Sequence, residues 1–229
     1  MEEIKGVLYG VSVGPGDWEL ITIKAVRILK DTQIIAVPKS GGKRNAALEI
    51  ISHVVNIDEK TLIELDFPMI KDENFIREKH RKNAEIIENK LKAGNDVAFI
   101  SIGDISIYST FGYINDLVKN DGYKTAMISG VPSFCAVSAV LGISLTEKDK
   151  PVLIIPASAK NGEMLCSLSA SKVLMKSGDT HSLKKLLANC SNNVFYAVSD
   201  CGWESQKIFD ITKTDENTGY FTTVIAKDV

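Results

Sequence analysis

The sequence lacks clustered metal ligands and any strong excess of charge. Its four cysteines and three histidines are scattered along 229 residues without a Cys-x-x-Cys pair, whereas a zinc site needs clustered ligands. Basic residues number 27 and acidic residues 29, which gives a net charge of −2. A protein so balanced has no overall field that gathers polyanions. We therefore predict no protein-bound metal and no nucleic-acid partner.

Long apolar runs are also missing. No uninterrupted apolar stretch approaches the roughly 20 residues of a membrane-spanning helix. The acidic start, residues 1–5, differs from the basic and then apolar start of a signal peptide. These features predict a cytoplasmic protein with free thiols and no membrane partner. An apolar content of 45% is typical of a folded globular protein and excludes a disordered chain.

Strand-like and helix-like segments alternate from the first residues onwards. The strand-like run 5–13 is followed by residues 18–29, in which apolar residues recur at helical spacing. Asp17 stands where the N-cap of that helix belongs. This alternation predicts an α/β fold with a mostly parallel sheet covered by helices on both faces.

A polar segment divides the chain. Residues 143–150 are polar and charged and precede Pro151, which is typical of a linker. We predict an N-terminal α/β domain at residues 1–142 and a C-terminal α/β domain at residues 151–229. The second sheet is predicted to be mixed, with its last two strands forming an antiparallel hairpin.

Glycines mark three loops, each of which follows a predicted strand. The loops are Gly14-Pro15-Gly16-Asp17, Gly103-Asp104 and Gly130-Val131-Pro132-Ser133. In an open parallel sheet, ligands bind at the carboxyl ends of the strands, and glycine lets them approach the backbone closely. The three loops therefore indicate a nucleotide-sized site. The alternative is that they are only tight turns.

Two phosphate-binding patterns are absent. Glu19 occupies the third glycine position of a G-x-G-x-x-G fingerprint starting at Gly14, and its carboxylate would repel a pyrophosphate. No Gly-Lys-Ser/Thr follows a glycine-rich turn, and no Ser/His/Asp or Cys/His catalytic arrangement is present. The site is therefore expected to hold a nucleoside-like ligand without phosphates, or a substrate of other chemistry.

Two long motifs resemble signatures of a known family. Residues 11–25 (VSVGPGDWELITIKA) and 97–109 (VAFISIGDISIYS) are similar to the first and second signatures of the tetrapyrrole (class III) S-adenosylmethionine-dependent methyltransferases. Three later segments fit in the same order: residues 130–133, 173–176 and 220–223. The resemblance implies two α/β domains, a cleft between them that holds the folded cofactor, and a homodimer.

Within the family, residues 108–111, 155–157, 173–176 and 220–221 most resemble the group that methylates C20 of precorrin-2. This resemblance implies transfer of the sulfonium methyl of S-adenosylmethionine to precorrin-2 or cobalt-precorrin-2 in cobalamin biosynthesis, with S-adenosylhomocysteine as the product. Such a transfer needs in-line alignment at about 3–3.5 Å and exclusion of water rather than an acid-base triad. The residues expected at the cofactor are Ile102, Gly103, Asp104, Ile107, Ser109, Pro132, Ser133, Met175, Tyr196 and Ala197.

Several of these residues have specific expected roles. The carboxylate of Asp104 is expected to accept from the cofactor's ammonium group, or alternatively to cap the following helix. Met175 is expected to pack on the adenine, or to be a core residue. Tyr196 and Ala197, at the predicted end of a strand, are expected to offer backbone contacts to the adenine.

The substrate side is predicted from the first glycine loop and from basic residues. Gly14, Pro15 and Gly16 are expected to line the tetrapyrrole trough. Asp17 and Tyr108 are the candidate catalytic residues; the alternatives are an N-cap and a packed aromatic residue. The substrate is a polycarboxylate, so cations are expected at the rim of the site. The candidates are Lys39, Lys43 and Arg44, whose alternative is a solvated basic loop.

Other functions remain open at this point. The same fold serves methyltransferases that act on another tetrapyrrole carbon, on ribosomal RNA or on diphthamide. A nicotinamide-dependent oxidoreductase is disfavoured by Glu19, and a non-catalytic ligand-binding module is the remaining alternative.

Overall fold

The computed structural model describes residues 5–39, 45–68, 70, 72–177, 179–191, 193–214 and 217–228. The chain divides into two compact units, Met1–Pro132 and Ser133–Val229. The sequence predicted a boundary at residues 143–150. The structure instead groups the helix Ser133–Leu141 with the second unit, because that helix packs against the last strand of that unit.

The first unit contains a five-stranded sheet whose strands all run parallel. The strand order is β3-β2-β4-β1-β5, so β4 and β1 are central neighbours. The parallel sheet predicted from the alternating pattern is confirmed. The strands are β1 (Val7–Ser12), β2 (Ile34–Lys39), β3 (Thr61–Asp66), β4 (Val97–Ser101) and β5 (Lys124–Ile128).

Helices α1 (Ile23–Asp31), α2 (Ala46–Ser52), α3 (Glu73–Lys92) and α4 (Phe111–Asn120) belong to the first unit. The predicted helix at residues 18–29 is in fact two elements. Trp18–Leu20 forms a 3-10 turn capped by Asp17, and α1 then starts anew with Thr22 as its N-cap. Asp17 and Thr22 each satisfy backbone N–H groups at a separate helix start, and the helical conformation is therefore interrupted between the two elements.

The core of the first unit lies between the sheet and helices α3 and α4. On α3, Ala84, Ile87 and Leu91 recur at helical spacing and are fully buried. Phe111 of α4 packs over β1, and a Cβ added at Gly10 would lie 2.4 Å from its ring. This close packing fixes the start of α4 over the middle of β1, beside Phe99 of β4.

The second unit contains a mixed sheet, as predicted, and its strand order is β6-β7-β10-β8-β9. Its strands are β6 (Val152–Pro156), β7 (Ser171–Met175), β8 (Asn193–Ser199), β9 (Lys207–Phe209) and β10 (Thr222–Asp228). Strands β6 and β7 are parallel, and the other pairs are antiparallel. The predicted hairpin of the last two strands is wrong, because β8 lies between β9 and β10. Helices α5 (Ser133–Leu141), α6 (Gly162–Cys166) and α7 (Thr180–Leu187) complete the unit.

The second core includes unusual polar and sulfur groups. Cys166 and Cys190 are buried among leucines, and all four cysteines are free thiols. Lys172 of β7 is only 1% exposed, and its ammonium donates to Oδ1 of Asn193 at 3.0 Å. A buried ammonium needs such a hydrogen bond to offset its lost hydration.

Candidate functional site

All five strands of the first sheet end at the same edge, because the sheet is parallel. The connections from β1 and β4 leave in opposite directions across the sheet, since β2 lies beyond β4 and β5 lies beyond β1. Ligands bind at such a switch point in open α/β sheets. The loops that follow β1, β4 and β5 are the three glycine loops singled out in the sequence.

Three hydrogen bonds join these loops. The amide of Gly103 donates to the carbonyl of Gly14 at 2.7 Å, and the amide of Ile105 donates to Oγ of Ser12 at 2.8 Å. The amide of Gly130 donates to Oδ2 of Asp104 at 2.8 Å. We call this arrangement the loop frame; it consists of Ser12, Gly14, Gly103, Asp104, Ile105 and Gly130. It holds three separate segments of the chain in one fixed arrangement.

Glycine is required at the loop frame for two reasons. Gly14 and Gly103 have φ angles of 79° and 73°, a left-handed conformation that other residues adopt at a cost. Gly130 is required by space, since a Cβ there would lie 2.4 Å from Cβ of Ser12 and 2.9 Å from the carbonyl oxygen of Gly103. The three backbones therefore approach more closely than any side chain would allow.

Asp104 is almost completely buried, at 8% exposure. Its Oδ1 accepts from the amide of Ser106 at 2.9 Å and from the Ser106 hydroxyl. Burial acts to raise the pKa of Asp104, but the hydrogen bonds from Ser106 and Gly130 outweigh it, and the pKa is lowered. The carboxylate does not cap α4, because α4 starts only at Phe111. At the start of α4 it is Ser109 whose Oγ accepts from a backbone amide, that of Phe111, at 3.2 Å.

The other cofactor candidates of the first unit surround this frame. Ile102, Ile107, Ser109 and Pro132 are all partly buried on the loops after β4 and β5. The hydroxyls of Ser109 and Ser101 lie 3.0 Å apart. The structure therefore brings these four candidates to one edge. Ser133 is the first residue of α5 and of the second unit.

Tyr108 lies on the loop between β4 and α4 in a strained conformation. Its φ is 49°, which is uncommon for a bulky residue, and its side chain is 43% exposed. Burial of the rest of the group raises the pKa of its hydroxyl. Such strain persists only where the surrounding structure imposes it, and it clusters at functional sites.

The substrate-side candidates have different outcomes. Gly14, Pro15 and Gly16 are buried in the loop after β1. Oδ1 of Asp17 accepts from the amide of Glu19 at 2.9 Å, so its interpretation as an N-cap is confirmed. The ammonium of Lys39 lies 3.0 Å from Oε2 of Glu64, with both side chains well exposed. Lys43 and Arg44 lie outside the described residues.

In the second unit, Met175 is the last residue of β7 and is partly buried. Its carbonyl accepts from the amide of Ala157 at 2.8 Å. The sequence predicted that Tyr196 and Ala197 end a strand, but they lie in the middle of β8. Ala197 is fully buried and pairs with residues of both β10 and β9. Ala197 is thus paired on both sides of β8, whereas Tyr196 is paired with β10 through Ile225.

Two residues at the ends of β7 and β8 were missed by sequence reasoning. Strands β7 and β8 run in the same direction, because both are antiparallel to β10. Lys176 and Asp200 follow them with φ angles of 58° and 48°. Beside Asp200, the rings of Tyr220 and Phe221 form an edge-to-face pair at 5.4 Å, and each side chain is 46% exposed. Lys176 and the aromatic pair lie within the sequence motifs at residues 173–176 and 220–223, whereas no motif of the sequence analysis included Asp200.

The described residues contain no group of three or more His, Cys, Asp and Glu side chains that could hold a metal ion. None of the helices there combines the length and apolar character needed to cross a membrane.

Comparison with known proteins defines the class. Residues 7–216 match the model of the family described as tetrapyrrole (corrin/porphyrin) methylases. The chain belongs to this family. It is 34% identical over 232 residues to the probable cobalt-precorrin-2 C(20)-methyltransferase of Methanocaldococcus jannaschii, covering 99% of this chain and 98% of the relative. It is 30% identical over 191 residues to the cobalt-precorrin-2 C(20)-methyltransferase of Salmonella typhimurium, covering 81% and 79%.

Solved structures have the same fold. A cobalt precorrin-4 methyltransferase of cobalamin biosynthesis superimposes with a TM-score of 0.76 at 18% identity, covering 96% of this chain and 94% of the other. A uroporphyrin-III C-methyltransferase from Thermus thermophilus, solved with S-adenosylhomocysteine, gives a TM-score of 0.72 at 16% identity, covering 97% and 92%. The two-unit α/β architecture is therefore that of the tetrapyrrole methyltransferases.

Proposed function

We propose that this chain transfers the methyl group of S-adenosylmethionine to C20 of precorrin-2 or cobalt-precorrin-2 in cobalamin biosynthesis. The observation that carries the proposal is the loop frame, a glycine-lined and hydrogen-bonded edge in a member of the tetrapyrrole methylase family. Two relatives that are at least 30% identical are named for methylation at this carbon.

The first unit supplies the donor side of the reaction. Gly103 and the loop starting at Gly130 are assigned to the donor, because glycine after a strand of an open parallel sheet lets a ligand approach the backbone closely. Ile102 and Ile107 provide partly buried apolar surface. Methyl transfer neutralises the sulfonium charge, so a dry, apolar surrounding favours the transition state over the charged donor. The structure solved with S-adenosylhomocysteine in a relative of this fold supports the choice of cofactor.

The acceptor side is assigned to the loop after β1. Gly14, Pro15 and Gly16 are assigned to the trough for the macrocycle, and Tyr108 is assigned to its lining. Asp17 is assigned to accept from the pyrrole N–H groups or to receive the proton lost after methylation. Lys39, Lys43 and Arg44 bind the substrate's carboxylates. Lys39 then exchanges Glu64 for a substrate carboxylate, which costs little because surface ion pairs are weak.

Met175 is assigned to the adenine. It lies at the end of β7, partly exposed, and a thioether packs well against an aromatic ring. Tyr196 and Ala197 keep a smaller role, since the backbone of Ala197 is already paired within the sheet. The homodimer and the cytoplasmic location expected from the sequence belong to this proposal, and light scattering of the purified protein tests the dimer.

One experiment tests the proposed reaction. The protein is incubated anaerobically with methyl-labelled S-adenosylmethionine and precorrin-2, with and without cobalt, and the products are analysed by mass spectrometry and NMR. We expect a gain of one methyl group, located at C20. Methylation of precorrin-4 or uroporphyrinogen III with no change to precorrin-2 would show that the enzyme acts on another tetrapyrrole carbon.

A further inference from the structure

The carboxylate of Asp104 has little accepting capacity left for a ligand. A carboxylate offers about four acceptor positions. Three donors already use three of these positions: the amide of Ser106 at 2.9 Å, the Ser106 hydroxyl, and the amide of Gly130 at 2.8 Å. Both oxygens are engaged, and the residue is only 8% exposed. The group is thus placed between two loops rather than at an open surface.

We infer that Asp104 is a positioning residue, which acts on the bound donor through the amide of Gly130 and not by direct contact with the donor's ammonium group. This inference rests on the proposed use of S-adenosylmethionine. The bond to Gly130 joins the loop after β4 to the loop after β5, at the point where Gly130 lies against Ser12 and the carbonyl of Gly103. Asp104 thereby sets where the segment from Gly130 to Pro132 starts.

The charge of Asp104 strengthens this link. Hydrogen bonds to an ionised carboxylate are shorter and stronger than those between neutral groups. Burial raises the pKa of Asp104, yet the hydrogen bonds from Ser106 and Gly130 lower it below its usual value, so the group is ionised at neutral pH. An asparagine there keeps one acceptor oxygen but turns an N–H₂ group towards a donor on one side. The link to Gly130 or to Ser106 is then lost.

A comparison of two ligands distinguishes positioning from direct contact. S-adenosylhomocysteine carries the ammonium group, whereas 5′-methylthioadenosine shares its adenosine and sulfur but lacks the amino-acid part. If Asp104 positions the loops, D104N weakens the binding of both ligands by the same factor, about tenfold, or 1.4 kcal/mol. If it contacts the ammonium, only S-adenosylhomocysteine binds more weakly. Isothermal titration calorimetry measures both affinities.

The chain offers a matched control. Asp210 makes the same local turn, with Oδ1 accepting from the amide of Thr212 at 3.0 Å and from its hydroxyl at 2.6 Å. It lies after β9, in the second unit. D210N removes the charge from this turn and is expected to leave both affinities unchanged.

Two further measurements keep the inference falsifiable. S106A removes one of the three donors and is expected to weaken both ligands equally, about threefold (~0.7 kcal/mol); it decides the question if D104N does not fold. In NMR spectra, D104N is expected to move the amide proton of Gly130 upfield, as the charge-assisted bond is lost. Selective loss of S-adenosylhomocysteine binding, or unchanged affinities in folded D104N, overturns the inference while the proposed function stands. A wild type that binds neither ligand overturns both.

Discussion

The two sheets differ in the residues that follow the carboxyl ends of their strands. In the first unit, the left-handed positions after β1 and β4 are occupied by Gly14 and Gly103. In the second unit, the equivalent positions after β7 and β8 are occupied by Lys176 and Asp200. Glycine at such a position is visible in a sequence, whereas lysine and aspartate are not. The comparison shows why one edge was predicted in detail and the other was not.

The largest effect is expected for Gly130→Ala, which tests how closely the first edge is packed. Its Cβ would lie 2.4 Å from Cβ of Ser12, so the loops must separate. We expect a loss of about 1–3 kcal/mol in the free energy of unfolding, as for other overpacked sites, and loss of S-adenosylhomocysteine binding. Urea denaturation and calorimetry measure the two effects.

The control is Gly112→Ala in α4, where an added Cβ meets nothing within 4 Å. Alanine there is expected to stabilise the protein by roughly 0.5–1 kcal/mol, because glycine is costly inside a helix. If Gly130→Ala folds and binds like the wild type, close packing at the loop frame has no functional importance.

Much of the first unit was predictable because its determinants are local. Periodic apolar residues predict the parallel sheet, and the glycines after β1, β4 and β5 mark the edge of the sheet to which we assign the donor. The sequence identified Asp104 as a candidate site residue, but not its hydrogen bond with the amide of Gly130. The bond to Gly130 joins residues 26 positions apart, which no local pattern shows. Likewise, the break before α1 depends on whether Asp17 or Thr22 caps the helix, and both residue types are good caps.

The second unit was less predictable because its sheet is mixed. Pairing β10 with both β7 and β8 places a late strand in the centre of the sheet, so neighbours in sequence are not neighbours in space. For this reason the hairpin was wrongly predicted, and Tyr196 and Ala197 were predicted to end their strand, which continues to Ser199. Tyr196 and Ala197 were therefore assigned to an edge when they lie inside the strand.

The next largest effect is the pH dependence of the stability that Asp104 contributes to the loop frame. The pKa of Asp104 is lower in the folded protein than its ordinary value of 3.8, so its contribution to stability is present above that value and is lost as the pH falls through the folded pKa. We expect D104N to lower the free energy of unfolding by about 1.5 kcal/mol at pH 7. The difference from wild type shrinks below pH 3.8. A difference that stays constant from pH 7 to pH 3 in urea titrations would contradict this.

A smaller change in the free energy of unfolding, opposite in sign, is expected at Asp200 after β8. Asp200→Gly relieves a left-handed backbone and is expected to raise the free energy of unfolding by about 0.5–1 kcal/mol. The neighbouring Ser199→Gly, within β8, is expected to lower it by a similar amount of about 0.5–1 kcal/mol. Thermal and urea unfolding compare the two. Destabilisation by Asp200→Gly would show that its side chain, and not only its backbone, is needed at this edge.

The smallest effect is expected for the ion pair between Lys39 and Glu64. With the two side chains 57% and 67% exposed, a double-mutant cycle is expected to give a coupling energy below about 0.5 kcal/mol, falling further with salt. A larger, salt-independent coupling would mean that Lys39 is held in place and is not available to bind a carboxylate of the acceptor.

The link between Gly14 and Gly103 runs from main chain to main chain, and this has a consequence for protein engineering. The side chain of Pro15, beside this link, can be replaced without removing either partner of the bond. On the proposed assignment of Asp17 and Tyr108 to the acceptor, acceptor preference is open to redesign by recombining the residues around them, while the link between Gly14 and Gly103 is kept unchanged. Libraries that randomise these neighbours and spare the glycines are expected to retain many more cofactor-binding variants than libraries that do the reverse.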